Sequence, residues 1–146
     1  MTVRFYVHSI AKRAKAIALV DLGATENFMN LSYARWLKLP IQTLQQPCKI
    51  FNVDRTTNKS RELKYFTDLE VQTGPNWSKL HFFLTDLGEN KVILGYSWFA
   101  AVQPKINWKR GWIDSSQLPI ILRANNAKRA HFMPRSVNKP RPIDTT

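Results

Sequence analysis

The chain is divided into short apolar segments separated by polar turns, and this division limits it to short strands and short helices. Val3, Phe5 and Val7 alternate with polar residues, which is the period-2 pattern of a half-buried strand. The continuous apolar run 16–20 is typical of a strand buried on both sides. Eight prolines against five glycines favour many short segments over long helices. The pattern predicts a small, mainly β domain with a barrel-like closed sheet.

Two short helices are predicted between the strands. The first covers Asn30 to Leu39, where apolar residues recur at helical spacing, with Asn30 as its cap and Pro40 as its end. The second has Ser97 as its candidate cap and ends at Pro104.

Positive charge is concentrated near the end of the chain. The 146 residues carry a net charge of +12, and 44% of them are hydrophobic, enough for one folded core. Residues 116–146 contain six basic residues, one acidic residue and four of the eight prolines. We therefore expect a folded domain over 1–115 and a basic, largely extended tail over 116–146. The tail either contacts nucleic acid through phosphates, without sequence selectivity, or is a solvated linker.

Several classes of protein are excluded by what the sequence lacks. Cys48 is the single cysteine, so no internal disulfide forms, and the three histidines lack metal-ligand spacing. Without a phosphate-binding glycine loop or a dinucleotide motif, neither a metal nor a cofactor is predicted. No apolar run approaches the ~18 residues that span a bilayer. The start of the chain lacks the features of a signal peptide, so we expect an intracellular protein without membrane contact.

Asp21 is the strongest candidate for a catalytic residue. It ends the apolar run 16–20 and directly precedes a turn at Gly23. A carboxylate in this position is costly to bury unless it is hydrogen-bonded or functional. The segment Asp21-Leu22-Gly23-Ala24-Thr25 resembles the active-site loop of the retropepsins, the aspartic proteases of retroviruses and long-terminal-repeat retrotransposons. A plain turn or helix-capping role for Asp21 is the alternative.

A second motif downstream strengthens the resemblance. Ile93-Leu94-Gly95 is similar to the second signature of the retropepsins, an apolar pair and a glycine that open a helix. The following segment 103–108 resembles the gypsy-class branch of the retrotransposons. Two signatures in this order identify the stretch from about Thr2 to Asp114 as a retropepsin-like domain of a gypsy-class polyprotein.

The resemblance implies an aspartic endopeptidase that acts as a homodimer on a polypeptide substrate. Only one full copy of the loop motif is found, so each protomer would contribute one Asp21 across a two-fold axis. The two carboxylates would activate a water molecule that hydrolyses internal peptide bonds of the polyprotein. Gly23, Ala24 and Thr25 would shape the loop and bind the substrate backbone.

The resemblance also assigns a flap, the hairpin that closes over bound peptide. It corresponds to Asn52 to Leu63, and the candidates at its tip are Asp54, Arg55, Thr56, Thr57 and Asn58. No glycine is present in this tip, although Asn58 tolerates a left-handed backbone.

Leu22 departs from the retropepsin pattern. The family has serine or threonine at this dimer-axis position, where the hydroxyl holds the two loops together, and leucine has no donor or acceptor. An inactive or impaired descendant of a protease is therefore a second hypothesis. A third, from another class, is a basic nucleic-acid-binding module in which the Asp21 loop is only structural. Asp86-Leu87-Gly88 repeats the tripeptide, but the residues that follow it predict a polar turn.

Overall fold

The computed structural model describes residues 1–51, 60–107, 109–110, 112–114 and 117–124, which form ten strands and two short helices. The strands are β1 (Thr2–His8), β2 (Arg13–Val20), β3 (Phe28–Asn30), β4 (Gln42–Phe51), β5 (Ser60–Thr73), β6 (Asn76–Thr85), β7 (Val92–Leu94), β8 (Ile106–Asn107), β9 (Trp112–Ile113) and β10 (Ile120–Ala124). The helices are α1 (Leu31–Trp36) and α2 (Tyr96–Val102). Within these residues, neither helix has the length and apolar character needed to cross a membrane.

Seven of the strands close into a barrel. Their order is β10-β1-β2-β7-β3-β6-β5, and the ring closes because β10 pairs with β1 on one side and β5 on the other. Strand β4 pairs with β5 outside the ring, and β8 pairs with β9 in a separate small sheet. The predicted mainly β fold with a closed barrel and short helices is confirmed.

The core lies inside the barrel and under the helices. Val3, Phe5 and Val7 are buried while their neighbours along β1 are partly or fully exposed, as the period-2 pattern predicted. The largest fully buried side chains include Phe5, Phe82, Met29, Leu94 and Trp98. Burial of such side chains contributes roughly 1.5–3 kcal/mol each to folding, so they hold the barrel together.

Strand β2 is half buried, which corrects the prediction of a strand buried on both sides. It begins at Arg13 and its exposure alternates, with Ile17 63% exposed and Ala18 fully buried. The physical reason is its place in the barrel wall, where only one face of each strand meets the interior.

Helix α1 is shorter than predicted at its end. The Asn30 side chain accepts a hydrogen bond from the Ser32 N–H at 3.1 Å, as expected of the cap. The helix stops at Trp36, before Leu39, because the chain turns at Lys38 with a φ of 59°.

The predicted cap of α2 is wrong. The helix begins at Tyr96, so Gly95 occupies the cap position and Ser97 lies inside the first turn. The Ser97 side chain does not cap the helix, because its hydroxyl donates to the loop that follows β2. The helix ends at Val102, and the next residue, Gln103, has a left-handed φ of 48° just before Pro104.

The predicted domain boundary after residue 115 is too early. Strand β10 completes the barrel, and Ile120, Leu122 and Ala124 on its inner face are buried. A barrel without this strand would leave the edges of β1 and β5 unpaired, so the folded domain extends at least to Ala124. The rest of the predicted tail, residues 125–146, lies outside the described residues.

Candidate active site

Asp21 is held at the end of β2 by backbone hydrogen bonds. Strands β2 and β7 run parallel, with Val20 opposite Leu94, and the Asp21 N–H donates to the Leu94 carbonyl at 2.9 Å. One carboxylate oxygen, Oδ1, accepts from the Gly23 N–H at 3.0 Å, and the Asp21 carbonyl accepts from the Ala24 N–H at 3.0 Å. Asp21 is partly exposed, so solvent reaches a residue whose carboxylate is held by a hydrogen bond.

The start of α2 binds the other side of the Asp21 loop. The Tyr96 N–H donates to the Ala24 carbonyl at 2.8 Å. The N–H and the hydroxyl of Ser97 both donate to the Thr25 carbonyl at 3.0 Å. Because helix N-termini carry N–H groups without intrahelical partners, these bonds satisfy both the helix and the loop. The two predicted signatures therefore meet in space.

Gly95 is the point of closest approach between the two signatures. A Cβ atom at this position would lie 2.7 Å from the Ala24 carbonyl oxygen and even closer to the Glu26 carbonyl oxygen. Its φ of −99° is open to any residue, so the requirement for glycine is a matter of space and not of backbone conformation. Leu94 and Gly95 thus contact the Asp21 loop directly.

Ile93 has a different role from its two neighbours in the signature. Its side chain is 4% exposed and belongs to a small second core cluster with Phe28, Leu63 and Leu87. Its side chain therefore packs in the core and supports the strand that carries Leu94.

Two residues of the site were missed from the sequence. Asn27 is fully buried; its Oδ1 accepts from the Gly95 N–H at 3.0 Å, and its Nδ2 donates to the His81 carbonyl at 3.4 Å. The Glu26 carboxylate accepts from the Ser97 hydroxyl at 2.9 Å. The one signal in the sequence was that Asn27 directly precedes the apolar pair Phe28-Met29. An amide buried together with such a pair needs a hydrogen-bond partner, because buried amides are nearly always hydrogen-bonded.

Leu22 projects outward from the loop and is 44% exposed. The repeated tripeptide at Asp86 forms the same local turn, with its Oδ1 accepting from the Gly88 N–H at 2.9 Å, yet Leu87 is 2% exposed. Since the local turn is the same in both segments, the surrounding fold decides that Leu22 is exposed and Leu87 is buried. Tyr96, which binds the loop through its N–H, is also 55% exposed, so the loop is flanked by apolar surface.

Asp86 and Asp21 lie at opposite ends of β7. Asp86 directly follows Thr85, and Thr85 pairs with Asn30. The Asn30 N–H donates to the carbonyl of Lys91, the residue just before β7, so Asp86 lies near the start of that strand. Asp21 instead adjoins Leu94, the last residue of that strand. One chain therefore does not bring these two carboxylates together, and Asp86 lies in a turn as predicted.

The stem of the predicted flap is formed. Strands β4 and β5 pair antiparallel, with Lys49 opposite Glu62 and Phe51 opposite Ser60. The tip candidates Asp54, Arg55, Thr56, Thr57 and Asn58 lie outside the described residues. Across the part of the chain that is described, no group of three or more His, Cys, Asp or Glu side chains is placed to hold a metal ion.

A small closed barrel whose Asp-x-Gly loop is held by a glycine and a short helix defines a retropepsin-like aspartic protease domain. Residues 17–120 match the family described as the PEG10/RTL1 protease domain, and the chain belongs to this family. The matched segment covers more than half of the chain and includes Asp21, its loop and the second signature. No curated protein matches the sequence.

Proposed function

We propose that this chain is an aspartic endopeptidase that works as a homodimer with one Asp21 from each protomer. The observation that carries the proposal is the Asp21 carboxylate, fixed by the Gly23 N–H at 3.0 Å and partly exposed at the end of the barrel. Peptide hydrolysis of this type needs two carboxylates. Since Asp86 lies at the other end of β7, the second carboxylate comes from a second copy of the chain.

The chemistry follows from placing two carboxylates close together. Both cannot ionise at once, so they share one proton in moderately acid solution. The ionised group takes a proton from a water molecule, which attacks the peptide carbonyl, while the other carboxyl protonates the carbonyl oxygen. As the tetrahedral intermediate collapses, the carboxyl that took the proton from water gives it to the nitrogen, the hydroxyl formed from the carbonyl oxygen returns its proton to the other carboxylate, and the C–N bond breaks to release the amine. The reaction needs no cofactor.

We assign the other loop residues two roles, which are shaping the loop and contacting the substrate. The carbonyl groups of Ala24 and Thr25 accept hydrogen bonds from α2, so we assign these residues to shaping the loop. Gly23 is exposed beside the carboxylate, and we assign it to contact with the substrate backbone. The substrate proposed from the resemblance is the polyprotein of a gypsy-class retrotransposon, cleaved at internal bonds.

Cleavage of a mixed peptide library at about pH 5 tests the proposal. If the active species is a dimer, the rate per milligram of protein rises with protein concentration until the dimer is saturated. Sedimentation measured over the same concentrations checks that the rise follows dimer formation. Cleavage whose specific rate is independent of concentration, in a monomeric sample, would contradict the shared site.

A second candidate function is an impaired protease, and the exposed Leu22 favours it. A serine at this position restores a hydroxyl near the proposed two-fold axis, and a lost hydrogen bond of this kind costs about 1–3 kcal/mol. We therefore expect Leu22→Ser to raise cleavage by about ten-fold at low protein concentration.

Leu118→Ser is the matched control for this substitution, because Leu118 is a 40% exposed leucine outside the loop. It is expected to leave the cleavage rate unchanged. An unchanged rate in Leu22→Ser would refute the impairment. A lower rate would also refute it and would show that the leucine itself supports the active dimer.

A further inference from the structure

A basic and aromatic surface covers the outer face of the barrel on β2, β1, β10, β5 and β6. The strand registers align two rows of residues across these five strands. One row is Lys15, Tyr6, Ile121, Gln72 and Trp77, and the next is Arg13, His8, Arg123, Glu70 and Lys79. Residues in the same row lie on the same face, so we call these two rows together with Arg4 and Ile17 the outer face.

The exposed charges of the outer face are positive. Arg4, Arg13, Lys15 and Lys79 are exposed. Glu70 is only 9% exposed and lies in register between Arg123 and Lys79. An anionic ligand would therefore meet four exposed cations on this surface, and the one carboxylate within the rows is buried between Arg123 and Lys79.

Aromatic rings stand among these cations. Trp77 is 44% exposed, and the Arg123 guanidinium lies 4.7 Å from the centre of its ring. This cation–π contact fixes the ring at the edge of the face. Tyr6 lies in the same row three strands away, which at ~4.8 Å per strand is about 14 Å.

A cavity opens beside Tyr6 at one end of the face. It has a volume of about 540 Å³, and Arg4, Tyr6, Ile17 and Leu118 are among the residues that line it. Ile17 is 63% exposed and Leu118 40% exposed, so its walls are partly apolar and accessible. A flat, apolar ring with an attached anion matches this combination of an apolar wall, an aromatic ring and a guanidinium group.

We propose that the outer face binds single-stranded nucleic acid. Cations that follow the phosphates and aromatic rings that stack on bases are the two features of sequence-tolerant single-strand binding. A lipid surface or an acidic protein would be met by the cations, but neither gives the exposed Trp77 ring and the partly exposed Tyr6 ring a stacking partner. None of the residues that form this surface belongs to the segment 125–146 or to the Asp21 loop.

Fluorescence anisotropy of the full chain with a labelled oligothymidine of about 20 nucleotides tests the proposal. The variant Lys15→Gln/Lys79→Gln removes two lysines from the face. Its matched control, Lys38→Gln/Lys105→Gln, removes two exposed lysines elsewhere, so the net charge and residues 125–146 are the same in both. Thermal unfolding checks that every variant is folded.

We expect the face pair to weaken binding about ten-fold near 0.1 M salt and to reduce the slope of log K against log salt by about 1.4, since each lost phosphate contact on a single strand contributes about 0.7. The control pair is expected to change affinity less than about two-fold. Equal losses in the two pairs, or no binding by the unaltered chain at about 50 mM salt, would overturn the proposal.

Trp77→Ala tests whether the surface stacks on bases in addition to binding phosphates. We expect it to weaken oligothymidine binding about ten-fold, as for one lost stacked base, and to leave heparin binding unchanged. An equal loss for heparin, or unchanged oligothymidine binding, would show that the surface does not stack bases and would overturn the proposal.

Discussion

Replacement of Asp21 with asparagine is expected to abolish peptide cleavage, with a loss of about 10³-fold or more. The asparagine Oδ1 still accepts the Gly23 N–H bond that now holds the carboxylate at 3.0 Å, so the loop keeps its shape. An amide, however, neither takes a proton from water nor gives one to the peptide oxygen. In a homodimer both carboxyl groups of the site are lost at once. The measurement is the initial rate on the best library peptide at about pH 5.

Asp86→Asn is the matched control, because Asp86 makes the same turn, with its Oδ1 2.9 Å from the Gly88 nitrogen. The structure places it away from Asp21, at the other end of β7, so its rate is expected to equal that of the unaltered chain. Cleavage that survives in Asp21→Asn would contradict the aspartic mechanism. A fall only in Asp86→Asn would move the catalytic carboxylate to that turn.

Gly95→Ala is expected to lower the free energy of unfolding by about 3 kcal/mol, at the upper end of the cost of overpacking. The added methyl group would lie 2.7 Å from the Ala24 carbonyl oxygen and meet the Glu26 backbone even more closely. Backbone atoms cannot rotate aside as a flexible side chain does. The loop must therefore separate from α2, and we expect cleavage to fall with stability. Urea unfolding and the peptide assay measure the two effects.

Gly88→Ala provides the comparison, because nothing lies within 4 Å of the added atom and its cost comes from the φ of +65° alone. That conformation costs about 1–2 kcal/mol for a residue with a Cβ atom. We expect the Gly95 variant to be the less stable of the two and the Gly88 variant to keep its cleavage rate. Equal stability would mean that the loop moves away from Gly95 without cost.

The local patterns that predicted strands and turns act over a few residues, and they were the dependable part of the sequence. The alternation of Val3, Phe5 and Val7 depends only on which side chains avoid water, and it predicted β1. Asn30 caps α1 because its side chain reaches an N–H two residues away. Asp21 followed by Gly23 makes its turn hydrogen bond within three residues.

The errors came from contacts between distant parts of the chain. Ser97 looked like a helix cap, but its hydroxyl bonds to Thr25, 72 residues away. The run 16–20 looked buried on both sides, because apolar content does not reveal how many layers cover a strand. Residues 120–124 were assigned to the tail, because their role in closing the barrel depends on β1 and β5 and not on their own composition.

The sequence by itself determined the strand pattern, the Asp21 turn and the second signature, since each is encoded by neighbouring residues. The tertiary structure alone decided which of two identical Asp-Leu-Gly turns exposes its leucine: Leu22 is 44% exposed and Leu87 2%. It also decided that Asn27 and Glu26 join the site, and that cations from four strands share one face. Those outcomes depend on strand register and barrel closure, which bring together residues that are far apart in the chain.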